Sequence, residues 1–463
     1  MLFSQFDLMQ GFHLPRICYL MMVPVTRKPP LRPNQCLGLL VPQRRSISVP
    51  QSAHKMNKAI EEELLTGGRL ESFHHTQPGQ VLDGRFKIIS KLGYGTSSTR
   101  WCKSSIPRYV SIKIAALDSD ASREAAHSKH IAEADPSHEG LSFIRLPLEA
   151  FQLHAPQGSY FCLVFEPMRE TLFDLQRRLP GNRIPLQLFK LYVFCLLEAL
   201  DYLHSACHLI HTGMPSQDIE DDNIMITFEH DAVLKNFATR QKDSLQPRRT
   251  RPGDGRAIYL SQSDFGTLQG RRLLPRLADF NLCFHGVENQ GHLSAIQAHR
   301  YRAPEVLLGC PWSYSVDIWN LGLLPVERPA GDDGEYDAHV HLAQMVSLLG
   351  DPPKLVIERE RLLRQNRLKK SILDARGKEC MNMNEFWGGP FFDDDDSIMR
   401  KDLIRREITL ADTVKHLQDD DKEQFLDFAS GMLEWLPEKR RTAKQLMQHQ
   451  FLESLRKDRE RYL

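Results

Sequence analysis

Two carboxylates and an amide stand in this chain at spacings that suit the movement of a phosphoryl group. Asp218-Ile-Glu-Asp-Asp-Asn223 sets an amide five residues beyond a carboxylate. Asp279-Phe-Asn281 places a second carboxylate directly after the apolar run Leu273-Leu-Pro-Arg-Leu-Ala278. In phosphoryl transfer one Asp accepts the proton of the attacking hydroxyl. An Asn and a second Asp each hold a Mg²⁺ that neutralises the phosphates. Neither string is specific alone. They become so in this order, with glycines at 93 and 95 upstream and Ala303-Pro-Glu305 downstream.

These residues need elements to position them. Phe86-Lys-Ile-Ile-Ser-Lys-Leu92 alternates as a strand does and runs into Gly93-Tyr-Gly95-Thr-Ser-Ser98. Glycines let backbone N–H groups approach phosphate oxygens, so Leu92, Gly93 and Gly95 are candidate nucleotide contacts. From the G-x-G alone, a plain hairpin turn is the preferred reading. Tyr109-Val-Ser-Ile-Lys-Ile114 is the next strand, and Lys113 stands among apolar neighbours where a lysine is out of place. It is the candidate phosphate lysine, with an edge-strand lysine as the alternative. Ser122 to Ile131 reads as a helix and offers Glu124 as the partner of Lys113, with Glu133 as runner-up. Phe161 to Met168 reads as a buried strand ending in a connector, and backbone groups around Glu166 and Met168 would bond an adenine edge. Leu188 to His204 has helical periodicity and leads to His211-Thr212.

A second string, Asp264-Phe-Gly266, competes with Asp279 for the role of metal ligand. Its upstream neighbours, Ser261-Gln-Ser263, are polar and form no buried strand. The span from Asp279 to Glu305 also has an ordinary length for the segment between metal ligand and substrate platform. Asp279 is therefore the expected ligand, and residues 230–275 read as a surface insert.

Composition sets the frame. At 463 residues the chain has room for roughly three domains of about 150 residues, or for a tail and one two-part domain. An apolar content of 41% supports a packed core, and a formal net charge of +1 gives no argument for nucleic-acid binding. Nine scattered cysteines without a C-x-x-C pair read as reduced intracellular thiols. No run approaches the roughly 18 apolar residues of a membrane helix. Residues 1–55 carry seven Lys and Arg (16, 27, 28, 32, 44, 45 and 55) against the single acid Asp7. They read as a disordered basic tail, with an organelle presequence around Arg44-Arg-Ser-Ile-Ser as the alternative.

The strings Ala134-Asp-Pro-Ser-His138, His211-Thr212, Leu277-Ala-Asp-Phe-Asn-Leu282, His299-Arg-Tyr-Arg-Ala-Pro-Glu305 and Trp312-Ser-Tyr-Ser-Val-Asp-Ile-Trp-Asn320 resemble the SR-protein kinases. The likeness is strongest to their filamentous-fungal branch and spans about residues 80–455. It implies an α+β, bilobal protein kinase fold: a β-rich N-lobe over 80–168 and a helical C-lobe over 169–463, after a 1–79 extension. It implies a serine/threonine kinase that uses ATP and Mg²⁺. By matching positions Asp218 is the catalytic base, Lys113 and Glu124 the phosphate-lysine pair, and Asn223 and Asp279 the metal ligands. Asp317 would anchor the C-lobe scaffold and Arg440 would pair with Glu305. The substrate implied is a protein, arginine/serine-rich in this family, and the site of action cytoplasm or nucleus, with the mitochondrion as the alternative that the basic N-terminus offers. The acidic run Asp393 to Asp396 would suit such a substrate, against a plain solvated loop.

Three departures stand against the family pattern. Thr212 replaces the arginine that in most kinases grips a phosphorylated activation loop; the family shares this, which implies a segment held by its own contacts. Gly213 to Gln217 intrude between Thr212 and Asp218, and Glu220 replaces a lysine that neutralises the transferred phosphate. Pro325 breaks the helix after Asp317, which should be long and apolar. An error at an exon boundary or a paralogue losing activity accounts for the last two. The rival functional reading is thus a pseudokinase that binds nucleotide or partners without turnover. A small-molecule phosphotransferase is disfavoured, because Ala303-Pro-Glu305 and Arg440 shape a peptide platform.

Overall fold

The computed structural model describes residues 58–65, 70–95, 98–105, 108–212, 223–243, 246–269, 273–286, 291–324, 336–368, 370–374 and 376–457. They form two compact units. One contains the described residues up to 199 together with 223–281, the other 200–212 and 282–457.

The first unit is built on an antiparallel six-stranded sheet in the order β1-β2-β3-β4-β6-β5. Its strands are β1 (Val81–Leu82), β2 (Phe86–Gly95), β3 (Ser98–Ser105), β4 (Arg108–Ala115), β5 (Pro147–Ala155) and β6 (Gly158–Phe165). β2 pairs with β3, β3 with β4 and β5 with β6, so strands adjacent in sequence are antiparallel neighbours in space. Val110, Ile112 and Ile114 make β4 a β-branched central strand, and they pack with Phe86, Ile88, Leu92, Cys162 and Val164. Helix α1 (Ser122–Ala134) follows β4, as its sequence predicts. Helix α3 (Leu186–Ser205) follows the short α2 (Leu172–Arg178), whose N-terminus is capped by the Thr171 hydroxyl accepting from Asp174 N at 3.1 Å.

A smaller sheet orders its strands Pro275–Leu277, Ile224–Ile226, Glu170–Thr171. Its antiparallel register pairs Leu277 with Ile224. That register brings the residue before Ile224 beside the residue after Leu277, and so carries Asn223 toward Asp279.

Two expectations are corrected here. The segment 230–275, read as a surface insert, is buried in part. Its helix Asp231–Asp243 and its hairpin of Arg248–Thr250 with Ala257–Tyr259 send Val233, Leu234, Phe237, Tyr259 and Phe265 into the same apolar cluster as Phe86, Ile88 and Leu92. Its average polarity hides a narrow apolar stripe at 233, 234 and 237, whose partner is a strand far upstream. Likewise, the assigned extension 1–79 is folded over its described residues, which begin at 58. Leu65, Leu70 and Phe73 are buried, and a 3₁₀ turn at Glu61–Leu64 places its acids against buried cations. The basic stretch 1–55 lies outside the described residues.

His74 belongs to this folded segment. It lies edge-on to Tyr160 at 5.0 Å, with Nδ1 2.7 Å from the Thr76 hydroxyl. Burial is the main cause that lowers its pKa to about 4. A histidine held neutral in the fold but free to protonate when unfolded stabilises fully above about pH 6.5 and loses that contribution as pH falls towards about 4. His74→Gln is expected to flatten the decline of melting temperature between pH 7 and pH 4.5. A slope identical to that of the unmutated chain would remove His74 from the account.

The second unit is helical. Helices Ser315–Leu323, Ala338–Leu349 and Lys354–Arg364 surround Trp312, Trp319, Leu342, Val346, Val356, Phe391 and Leu433. The helix carrying Asp317 stops after nine residues, at Leu323. Pro325, the expected breaker, lies outside the described residues.

Candidate active site

Lys113 lies on β4 between β3 and β6, opposite Arg100 and Leu163. Its side chain is 7% exposed, so its ammonium must find partners inside the unit. It finds two. The Glu124 carboxylate, in the first turn of α1, binds Nζ directly, and Asp279 Oδ1 stands 3.7 Å from it. Glu133, the runner-up, instead faces Lys129 near the surface at 4.0 Å. A buried lysine flanked by two buried carboxylates leaves net negative charge, which a divalent metal ion beside Asp279 would balance while the ammonium faces the phosphates.

Asp279 takes a left-handed backbone, φ +64°, two residues beyond the end of the strand Pro275–Leu277. Ala278 N donates to Asn223 O at 2.8 Å, which locks the two candidate ligand segments together. Magnesium asks for oxygen donors and usually takes only one or two carboxylates, with phosphates and water completing the shell. The Asp279 carboxylate and the Asn223 amide are donors of that class. Among the described residues no cluster of three or more His, Cys, Asp or Glu could hold a metal unaided.

Asp264 lies elsewhere. It is exposed, its Oδ1 accepts from Gly266 N at 2.8 Å, and its carbonyl accepts from Arg240 at 3.0 Å. Phe265 of the same string is buried against Phe228 and Phe237, so the string serves the packing of the segment 230–275.

The glycine pair closes a hairpin: Gly93 faces Arg100 and Gly95 faces Ser98 across β2 and β3. Leu92 is buried in the sheet core. In the connector, Glu166 pairs with Arg276 at 2.6 Å, and its carbonyl accepts from Arg145 at 3.2 Å. Met168 packs on Met225 and on Ala278, the residue before Asp279.

Asp218, Glu220 and the stretch 213–217 lie outside the described residues. The chain leading to them is held firmly. Asp317 is buried and its carboxylate accepts from His211 N and Thr212 N, both at 2.8 Å, and faces His204 Nε2 at 2.9 Å. The Thr212 hydroxyl donates to Leu282 O at 3.0 Å. Where an arginine would grip a phosphate, a neutral threonine makes a backbone contact. Further on, the buried Gln297 amide accepts from Ala303 N at 2.8 Å and donates to Val316 O at 3.1 Å and Asn320 Oδ1 at 2.8 Å. Glu305 receives both Arg440 amino groups at 2.6 Å each. Such a bidentate, buried pair fixes geometry as well as charge.

A family model described as protein kinase domain matches residues 258–452. A serine/threonine protein kinase of Aspergillus fumigatus is 30% identical over 409 residues, covering 84% of this chain and 89% of its own. The chain belongs to the serine/threonine protein kinases. The SRPK kinase of Physarum polycephalum is 26% identical over 408 residues, covering 82% of this kinase and 88% of its relative. A crystal structure of a kinase domain superposes with a TM-score of 0.56 at 21% identity, over 82% of this chain and 99% of its own, which shows a shared fold. The resemblance to SR-protein kinases and the α+β kinase fold are thus both borne out.

One residue escaped the sequence reading. His127 of the kinase lies one turn after Glu124 on α1, and its Nδ1 donates to Phe280 O at 2.7 Å. It ties the helix that holds Lys113 to the backbone just past Asp279. Burial is the main cause that lowers its pKa, which keeps the ring neutral with one N–H to give. The i, i+3 spacing from Glu124 was the available signal. The acidic run divides. Asp393 accepts from Asp395 N and Ser397 N, and Asp396 pairs with Arg361, which leaves Asp394 and Asp395 as its exposed members. No helix among the described residues is long and apolar enough to cross a membrane.

Proposed function

We propose that this kinase transfers the γ-phosphoryl group of Mg²⁺-bound ATP to serine or threonine hydroxyls of a protein substrate, arginine/serine-rich in composition. The observation that supports it is the buried set of Lys113, Glu124 and Asp279 within one unit. Lys113 would hold the α- and β-phosphates and Glu124 would keep its ammonium aimed. Asp279 and Asn223 would hold magnesium, which supplies charge neutralisation at the phosphates. Leu92, Gly93, Gly95 and the connector at Glu166 and Met168 would enclose the nucleotide. Asp218 would take the proton of the substrate hydroxyl. Cytoplasm or nucleus is the proposed compartment. The SRPK relative supports the arginine/serine-rich class.

Thermal-shift titration tests the nucleotide step. The wild type is expected to gain several degrees in Mg-ATP, and Lys113→Ala to lose that gain. No shift in the wild type, or an equal shift in the variant, would overturn this reading. A second reading, nucleotide binding with little turnover, is favoured by Glu220 and the intruding Gly213 to Gln217.

A further inference from the structure

The strand that enters the glycine pair is an edge where it needs support. β1 pairs with β2 only at Lys87 and Phe86, and Gln80 and Gly79 extend the pairing no further than Ile88. Beyond that point Ser90 and Lys91 would leave backbone groups unpaired, and the register with β3 shifts on both sides of Lys91. The segment 230–275 fills the gap. Gln246 Oε1 accepts from Lys91 N at 3.1 Å and Gln246 Nε2 donates to Lys91 O at 2.9 Å. Gln262 N donates to the same carbonyl at 2.9 Å, and Gln241 Oε1 accepts from the Ser90 hydroxyl at 3.3 Å.

The Lys91 side chain is held as tightly. It is 1% exposed, and its ammonium meets Glu62 directly and Glu61 at 3.2 Å. Glu61 also accepts from Ser261 N at 3.0 Å and the Ser261 hydroxyl at 2.7 Å, and Glu63 pairs with Arg249. The same ammonium lies 5.4 Å from the ring of Tyr94, the residue between the two glycines. Tyr94 in turn packs on Leu65 and Phe73 of the N-terminal segment. Two stretches remote in sequence thus close on one strand, and both reach it within a few residues of Gly93.

We infer that Glu62, Lys91 and Gln246 are positioning residues for the glycine pair: the N-terminal segment and the segment 230–275 form a clamp that sets nucleotide affinity from outside the nucleotide site. This rests on the proposed nucleotide reading. A buried, doubly paired lysine is a costly way to stabilise a sheet, because burying the charges offsets most of what their attraction returns. Its geometric effect is to fix one strand in one place.

The test compares the full chain with Glu62→Gln and Gln246→Ala. Glu71→Gln, at the exposed Arg251 pair on the same segment, is the control. Each protein is followed by hydrogen exchange of peptides spanning residues 91–95 without nucleotide, and by peptide phosphorylation over a range of ATP. Both clamp variants are expected to exchange roughly 10-fold faster at 91–95, while peptides from β4 and β6 keep wild-type protection. KM for ATP should rise by roughly 3- to 10-fold with kcat within about 2-fold, and the control should match wild type. Unchanged exchange at 91–95 would overturn the clamp, as would faster exchange without a change in KM, or loss of protection throughout the sheet. If the wild type itself shows no affinity for Mg-ATP, the nucleotide reading fails and the inference with it, and the exchange arm still reports whether the strand is clamped.

Discussion

Asp279→Asn is expected to lower peptide phosphorylation by on the order of 10³-fold, while Asp264→Asn leaves it within about 2-fold. The substitution keeps the volume of the side chain and removes one negative charge. At Asp279 that charge stands 3.7 Å from a buried ammonium and beside the Asn223 segment, where no bulk water can take its place. At Asp264 the carboxylate is exposed and caps one turn, a contact that an asparagine side-chain oxygen reproduces. The loss should fall on kcat more than on KM for the peptide, because the charge on the transferring group is spread most widely in the transition state. Partial recovery of the Asp279→Asn enzyme in manganese would be consistent, since the amide remains an oxygen donor. Loss of activity in Asp264→Asn with full activity in Asp279→Asn would reverse the assignment.

The difference in setting between these two aspartates was legible from the residues before each: Pro275–Leu277 forms a strand, and Ser261-Gln-Ser263 does not. Strands β2, β4 and β6 and helices α1 and α3 were legible for the same reason, since each carries its own period and its own boundaries. What the sequence hid was partnership. Gln246 and Gln262 look like any loop amides, and only the end of β1 at Leu82 creates the unpaired edge they serve. Glu61-Glu-Glu63 reads as a solvated acidic run until a lysine in the middle of β2 turns out to be buried. His127 is one polar residue on a polar helix, and its role depends on where the backbone of Phe280 passes. Local pattern reports which element forms. It does not report which distant segment supplies the missing hydrogen bond or counter-charge, because that is decided by tertiary contacts.

Deleting Gly213 to Gln217 is expected to raise phosphorylation of an arginine/serine peptide by roughly 10²-fold, with Glu220→Lys adding to the gain. The chain enters this stretch from a fixed point: His211 N and Thr212 N are both held by the Asp317 carboxylate at 2.8 Å, and the Thr212 hydroxyl is held by Leu282 O. Within the other unit, Asn223 O accepts from Ala278 N. The resemblance to the SR-protein kinases implies a path from the His-Thr pair to the base without the five residues 213–217. The five added residues lengthen the chain between Thr212 and Asp218, and Pro215 among them has a fixed φ. A general base contributes typically 10²–10⁴-fold only when it lies within hydrogen-bond reach of the hydroxyl, so displacement of Asp218 by about 1 Å forfeits much of it. Glu220 acts by charge instead. A carboxylate where the family has a lysine repels the developing negative charge of the phosphoryl group, and lysine would attract it. The measurement is radiolabel transfer by the unmodified kinase, the deletion and the deletion with Glu220→Lys, at saturating Mg-ATP so that nucleotide affinity drops out. A rising series locates the impairment in these residues. Equal and robust rates in all three would show that the loop bulges without moving Asp218, and the low-turnover reading would fall with that result.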